Sequence, residues 1–305
     1  MSLSMRNIKK WTKMIFGKSL SHVHQGPGRE YSLTNLRGYY NDLTEKVTKD
    51  HAHYNMTEVF PYHDAKGNEC DAPIEFFQYG LGAYDLYLAG IDKELMLKKF
   101  KAHVQWAMDH QQDDGSWDAF AFNHPDCPKS AMAQGEGASL LLRAYVRFQN
   151  KAYLQAAKKA LDFMLLPLEE GGTARSDGKD LVLYEFTCFP CVYNGWIFAI
   201  FGLMDYVIVT DDAFYKEALV KTINTLQRHL PNMDNGFWSM YREDKTIASP
   251  FYHRLHIAQL KILAEYTNDP LFAEYEQRFA RYGRNPFYRC RAFLRKARQK
   301  IVEKD

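Results

Sequence analysis

"DKELMLKKFKAHVQWAMDHQ", residues 92–111, decides the architecture. Leu95, Leu97, Phe100, Val104 and Ala107 recur at helical spacing with lysines opposite, the pattern of an amphipathic helix laid on a core. The same period returns in "SAMAQGEGASLLLRAYVRF" (130–148), "KAYLQAAKKALDFMLL" (151–166), "YNGWIFAIFGLMDYVIV" (193–209), "DAFYKEALVKTINTLQRHL" (212–230) and "HIAQLKILAEYTN" (256–268). Asp92, Asp212 and Asp269 stand where N-caps are expected. Turn signals at Asp114-Gly115, Gly171-Gly172 and Asn235-Gly236 separate the helix pairs at intervals of about sixty residues. Only "LVLYEF" (181–186) and "GFWSMYR" (236–242) read as short β-segments. A repeated helical hairpin with a turn-rich loop predicts an all-α (α/α) toroid around a central cleft, with the chemistry in loops at one end.

Composition bounds the function. The 305 residues are 46% apolar and 25% charged, as in a globular protein with a substantial core, and a formal net charge of +2 gives no case for a nucleic-acid partner. Aromatic residues reach 15%, with 20 Tyr and 20 Phe, which suits a cleft lined with flat, hydrogen-bonding faces for sugars. No run of 18 apolar residues occurs, so no transmembrane helix is expected, and the basic N-terminus fails as a secretory signal. Five scattered cysteines then read as reduced thiols in a cytoplasmic protein. The expected division is a basic N-terminal arm (1–54) packed on the toroid, a barrel (55–280) and a basic C-terminal helix (281–305). That last helix is amphipathic. It suits contact with an anionic membrane surface or polyanion, although a solvated terminal helix is the plainer reading. A homodimer is the oligomeric state weighed.

"SPFYHRLHIAQL" (249–260) crowds Tyr252, His253, Arg254 and His256 into the start of a helix. Tyr252, His256 and Gln259 share one face, and polar groups facing a core are expensive to bury unless something uses them. "CFPC" (188–191) has redox spacing without a thioredoxin-like context and reads as packing at a helix start. "HAH" (51–53) lacks carboxylate partners at ligand spacing and reads as loop, so no metal and no organic cofactor is expected. Trp117, after the Asp114-Gly115 turn, reads as structural stacking. The phosphate-binding, serine-hydrolase and zincin motifs are absent.

Six segments, in order, resemble the D-glucuronyl C5-epimerase family of heparan sulfate biosynthesis: "PIEFFQYGLGAYDLYL" (73–88), "QQDDGSW" (111–117), "SAMAQGEGASLLLRAY" (130–145), "YNGWIFAIFGLMDY" (193–206), "NGFWSMY" (235–241) and "YHRLHIAQL" (252–260). The chain resembles a compact bacterial relative, with most of the animal enzymes' N-terminal β-rich portion not seen. The resemblance implies an (α/α) barrel that interconverts D-glucuronic and L-iduronic residues of a polysaccharide through the proton at carbon five. It implies catalytic tyrosines at Tyr252, Tyr241 and Tyr184. The family places a glutamate just before the last of these, where this chain has Leu183, with Glu185 just after.

The residues suit that chemistry. A proton alpha to a carboxylate is weakly acidic, so the carboxylate must be neutralised and the carbanion's charge spread; Arg242, Arg254, His253 and His256 are available. Inversion needs proton handling on both ring faces, for which Tyr252 and Tyr184 are the expected pair, supported by Tyr241 and Glu185. A phenolate near neutrality costs about 4 kcal/mol unless cations lower the phenol's pKa, a task assigned here to His253 and Arg254. Tyr79, Gln134 and Asn194 complete the expected contacts to an acidic polysaccharide or oligosaccharide. A polysaccharide lyase, which expels the oxygen at carbon four from the same carbanion, and a non-catalytic glycan-binding protein are the rival readings.

Overall fold

The computed structural model describes residues 23–49, 53–64 and 66–302. Among these, α1 (Thr44–Thr48) precedes four hairpins: α2 (Pro73–Leu88) with α3 (Lys93–His110), α4 (Ala131–Phe148) with α5 (Lys151–Leu165), α6 (Tyr193–Thr210) with α7 (Ala213–His229), and α8 (Pro250–Thr267) with α9 (Pro270–Arg284). The basic α10 (Pro286–Val302) follows. The protein is all-α in class, an (α/α) toroid of hairpins. α2, α4, α6 and α8 pack in sequence order as the inner wall, each backed by its outer partner.

Patterning explains which helices lie inside. α6 is apolar all round and buried all round as far as Tyr206, whereas α7 is buried on a single stripe, from Tyr215 and Leu219 to Ile223 and Leu226. α6 is long and apolar enough to cross a membrane, but 78% of it is buried inside the protein, as in a core helix. Close approach of α4 and α6 depends on glycine: a Cβ on Gly202 would stand 2.5 Å from the Cα of Gly135. α3 departs from the expected face. Its buried side is Met96, Lys99, Phe100, His103, Val104 and Ala107, with Leu95 and Leu97 only half-buried. Lys99 turns inward because the His53 carbonyl (2.7 Å) and the Tyr79 hydroxyl (2.8 Å) accept from its ammonium.

Each hairpin returns the chain, so the inner helices run parallel and their N-termini, at Pro73, Ala131, Tyr193 and Pro250, gather at one end. Asp212 and Asp269 cap their helices as expected. Asp92 does not; its φ is +38° and its carboxylate accepts from the Tyr54 hydroxyl instead. The three predicted turns are present, with Gly115, Gly171 and Gly236 at positive φ.

The described part of the N-terminal segment is threaded into the ring rather than laid on its outside. Tyr31 donates to Glu265 of α8, the Tyr39 N–H donates to Asp85 of α2 (2.9 Å), and the Gly38 carbonyl accepts from Arg143 of α4 (2.8 Å). Tyr39 stacks on Phe198 of α6. Arg143 also meets Asp205 of α6 at 2.5 Å in a fully buried ion pair. The segment thus occupies the gap between the last inner helix and the first. Near the inner helices' C-termini it closes the end opposite the gathered N-termini.

Two loop expectations change. β1 (Ala174–Ser176) pairs antiparallel with β2 (Leu181–Leu183), but "GFWSMYR" forms isolated bridges (Asp234 with Ser239, Met240 with Ile247, Val192 with Arg242) instead of a strand, because its partners are single loop residues. Cys127 and Cys188, expected reduced, form a disulfide with their Cα atoms 6.0 Å apart, joining the loop before α4 to the loop before α6. Cys191 is a buried thiol beside the start of α6, and Trp117 is core, donating to the Ala107 carbonyl.

Candidate active site at the gathered helix N-termini

The loops before α4, α6 and α8 deliver the candidate residues to the end where the inner helices begin. Tyr252 stands in the first turn of α8, behind Ser249, whose hydroxyl accepts from the Tyr252 N–H. Tyr241 arrives on the 234–247 loop. Its N–H donates to the Thr246 carbonyl (2.7 Å), and its carbonyl accepts from the first residue of α6, Tyr193 (3.1 Å). The two rings lie 4.6 Å apart. Their hydroxyls share a hydrogen bond.

Glu185 follows β2 and is buried against Gly195 in the first turn of α6. A Cβ at Gly195 would fall 2.2 Å from Glu185 Oε2, so only glycine admits this carboxyl. Its Oε2 has no protein partner. Burial alone pushes the carboxyl up to about 8, and its charge in turn raises both Tyr241 and Tyr252. A carboxyl that titrates just above neutrality beside two linked phenols is equipped to exchange protons.

The opposite wall is built by α1 and α2. Lys46 pairs with Glu75 at 2.5 Å, and a cavity of about 210 Å³ opens between them, Lys49, Tyr62, His63 and Tyr79. Glu75 and Tyr62, which line this cavity, both raise the Tyr252 phenol. Tyr79 is buried, stacked on His103. Deeper in the ring, Gln78 donates to Glu136 at 2.8 Å, leaving Glu136 Oε2 without a protein partner. Burial raises the Glu136 carboxyl far above the carboxylate range, with Gln78 and Lys46 opposing and Glu75 and Glu185 adding to the rise. The same interior holds other buried polar atoms without protein partners: both amide atoms of Gln134, Asn194 Oδ1, Gln259 Oε1 and His256 Nε2. Buried polar groups are nearly always satisfied, so a row of unpaired ones on α4, α6 and α8 stands apart from the rest of the core.

The remaining expected residues divide. Arg242 is half-buried beside Tyr241, held by Asp244 (2.8 Å) and Thr246 (3.1 Å), with its Nε unpaired. Tyr184 is at the same end, but its ring lies under Arg175 at 5.4 Å, and burial pushes its phenol up to about 12. His253 and Arg254 turn away. His253 stacks on Trp238 at 3.7 Å; its Nε2 donates to the Phe279 carbonyl and its Nδ1 accepts from the Ser239 N–H, so both nitrogens are fixed in a neutral ring. Burial lowers His253 to about 3 and lowers His256 as well, so neither supplies charge. Arg254 is exposed, on the side of Arg289. The expected lowering of the Tyr252 phenol by His253 and Arg254 is therefore reversed: burial and Glu185 raise it. Consecutive helical residues point about 100° apart, so Tyr252 can face the cleft only if its neighbours do not.

Glu136, Gln78, Glu75 and Lys46 were not expected. The signal for Glu136 was present, a carboxylate between two glycines in a helix otherwise read as buried. His51 lies outside the described residues, and His53 contributes its carbonyl to Lys99. Among the described residues no three His, Cys, Asp or Glu side chains gather as metal ligands.

The chain is 26% identical over 213 residues to the D-glucuronyl C5-epimerase of Caenorhabditis elegans, covering 60% of this chain and 35% of that protein. It is 29% identical over 161 residues to an uncharacterised protein of Methanocaldococcus jannaschii, covering 50% and 51%. It thus spans about a third and about half of these relatives' lengths. Among solved structures, the GH76A α-1,6-mannanase from Salegentibacter sp. HEL1_6 superposes with a TM-score of 0.49 at 14% identity, covering 91% of this chain and 85% of that one. Residues 104–281, more than half of the chain and including Glu185, Tyr241 and Tyr252, match the model of the D-glucuronyl C5-epimerase C-terminus, and the chain belongs to that family.

Proposed function

We propose that the protein is a uronyl C5-epimerase acting on an acidic polysaccharide or oligosaccharide. The observation that carries this reading is the buried Glu185 carboxyl, one oxygen unpartnered and titrating near 8, beside the hydrogen-bonded Tyr241–Tyr252 pair. The carbon-five hydrogen leaves as a proton to the Tyr252 oxygen, whose own proton has passed to the Glu185 carboxylate, and the electron pair delocalises into the substrate's carboxylate. Arg242 and the parallel N-termini of the inner helices oppose that growing negative charge. Tyr184, which precedes Glu185 after β2, is the group proposed to give its phenol proton to carbon five from the second ring face; it regains a proton from solvent as Glu185 releases the one taken from Tyr252. Gln134, Asn194 and His256 offer partners for sugar hydroxyls, and Tyr79 with Lys46 bounds the neighbouring sugar.

The test is incubation with an unsulfated glucuronate polymer, followed by proton NMR for iduronate signals and ultraviolet absorbance for unsaturated uronate. New iduronate in an intact chain is the expected outcome. Absorbance with chain cleavage would instead identify a lyase, and binding with neither signal a glycan-binding protein.

A further inference from the structure

Residues 277 to 302 contain nine Arg or Lys and no Asp or Glu, whereas the rest of the chain carries 30 basic against 37 acidic residues. Positive charge is therefore gathered on α10 and the end of α9, against an otherwise acidic body. α10 buries Ala292 against the protein and leaves Phe287 70% and Leu294 62% exposed. At i and i+7, with Cys290 between them, these side chains stand above one another on one side of the helix. Arg284 and Arg298, both exposed, flank them along the chain, and Arg291, also exposed, reaches over the Phe237 ring at 4.0 Å. Scattered apolar residues on a surface need no explanation. An aligned Phe and Leu between exposed arginines on a helix without carboxylates does.

The candidate occupants differ in chemistry. A second copy laid face to face would bring arginines against arginines with no carboxylate on the helix to meet them. A soluble anionic polymer satisfies the arginines and gives the Phe and Leu no apolar depth. A bilayer containing anionic lipid offers both, phosphates at the headgroup level and the acyl boundary just beneath. We infer that α10 docks the protein on an anionic membrane surface. The inward side of the helix is separate from this role: Lys296 donates to the Ile247 carbonyl and lies over the Tyr241 ring.

The experiment is flotation of the full chain with vesicles of phosphatidylcholine alone, or with phosphatidylglycerol at about one lipid in three. The protein should float with the mixed vesicles, remain behind with the neutral ones, and be released by salt. The pair Phe287→Ser/Leu294→Ser and the pair Arg284→Gln/Arg298→Gln should each lower partitioning by about tenfold or more, with far-UV circular dichroism and activity on soluble polymer unchanged. Equal recovery with both vesicle types, or both variant pairs floating like the parent, overturns the inference. So does a protein that ignores vesicles while these variants lose only polymer binding or self-association.

Discussion

Glu185→Gln preserves shape and removes ionisation, and its effect on stability has a definite sign. Burial raises the carboxyl from an ordinary 4.5 to about 8, so the folded protein holds this proton more tightly than the unfolded chain does. Below about pH 4.5 both states are protonated and the group imposes no electrostatic cost. Between about 4.5 and 8 the unfolded chain releases the proton while the folded one keeps it, and stability falls by about 1.4 kcal/mol per pH unit. Over the whole interval the loss is on the order of 5 kcal/mol, complete once the pH passes the folded value. Glutamine has no such dependence, so the variant should gain on the parent steadily as the pH rises and match it within about 1 kcal/mol near pH 4. The buried Asp85 is also lifted to about 8 by burial, which makes the difference between variant and parent the quantity to measure. Urea unfolding followed by tryptophan fluorescence across this range supplies it. A difference that stays flat with pH, or that shrinks as the pH rises, refutes the placement of Glu185 in a dry, unpaired site. Epimerase activity should be lost in the same variant, giving a more stable and inactive protein.

Other parts of the structure yield sharper, smaller tests. Gly195→Ala drives a methyl group into Glu185 from 2.2 Å, so it should lower turnover by roughly a hundredfold while costing about 1–3 kcal/mol of stability; near-parent turnover in a steady-state assay means the carboxyl need not sit there. Arg143→Leu strands Asp205 without its buried partner and should cost about 3–5 kcal/mol in thermal unfolding, and parental stability contradicts the buried pair. Thiol titration in denaturant without reductant should find three cysteines and five after reduction, because Cys127 and Cys188 are joined and Cys70, Cys191 and Cys290 are not. Five before reduction means the bridge is absent.

What could be read from the sequence was whatever depends on period. The helices, their pairing and the turn glycines follow from spacing, because an apolar stripe has to find a core wherever it occurs. Tyr252, Tyr241 and Glu185 could be singled out because their segments resemble a known family's, Glu185 one place after the tyrosine where the family's glutamate stands before it. What escaped depends on contacts between distant residues. Lys99 looked like a solvent-facing lysine until the His53 carbonyl and the Tyr79 hydroxyl were found at its tip. The threading of Tyr39 and Tyr40 into the ring has no local signature, since it rests on Asp85, Arg143 and Phe198 from three different helices. His253 was read as a cation because it neighbours Tyr252 in sequence; the Phe279 carbonyl and the Ser239 N–H, brought in by α9 and the 234–247 loop, make it neutral. Glu136 was passed over because a single carboxylate in an apolar helix shows its depth only once the helix is placed.

The most direct test of the account is hydrogen exchange at carbon five. In heavy water, with an unsulfated glucuronate polymer, the protein should place deuterium at carbon five of uronate residues in uncleaved chains, since a proton passed through Tyr252 and Glu185 mixes with solvent before one returns. Tyr252→Phe removes one hydroxyl from a half-buried ring and should fold like the parent while showing no exchange above the uncatalysed background. Deuterium incorporated equally by Tyr252→Phe, or an intact, demonstrably bound polymer that gains no deuterium from the parent protein, would contradict the assignment.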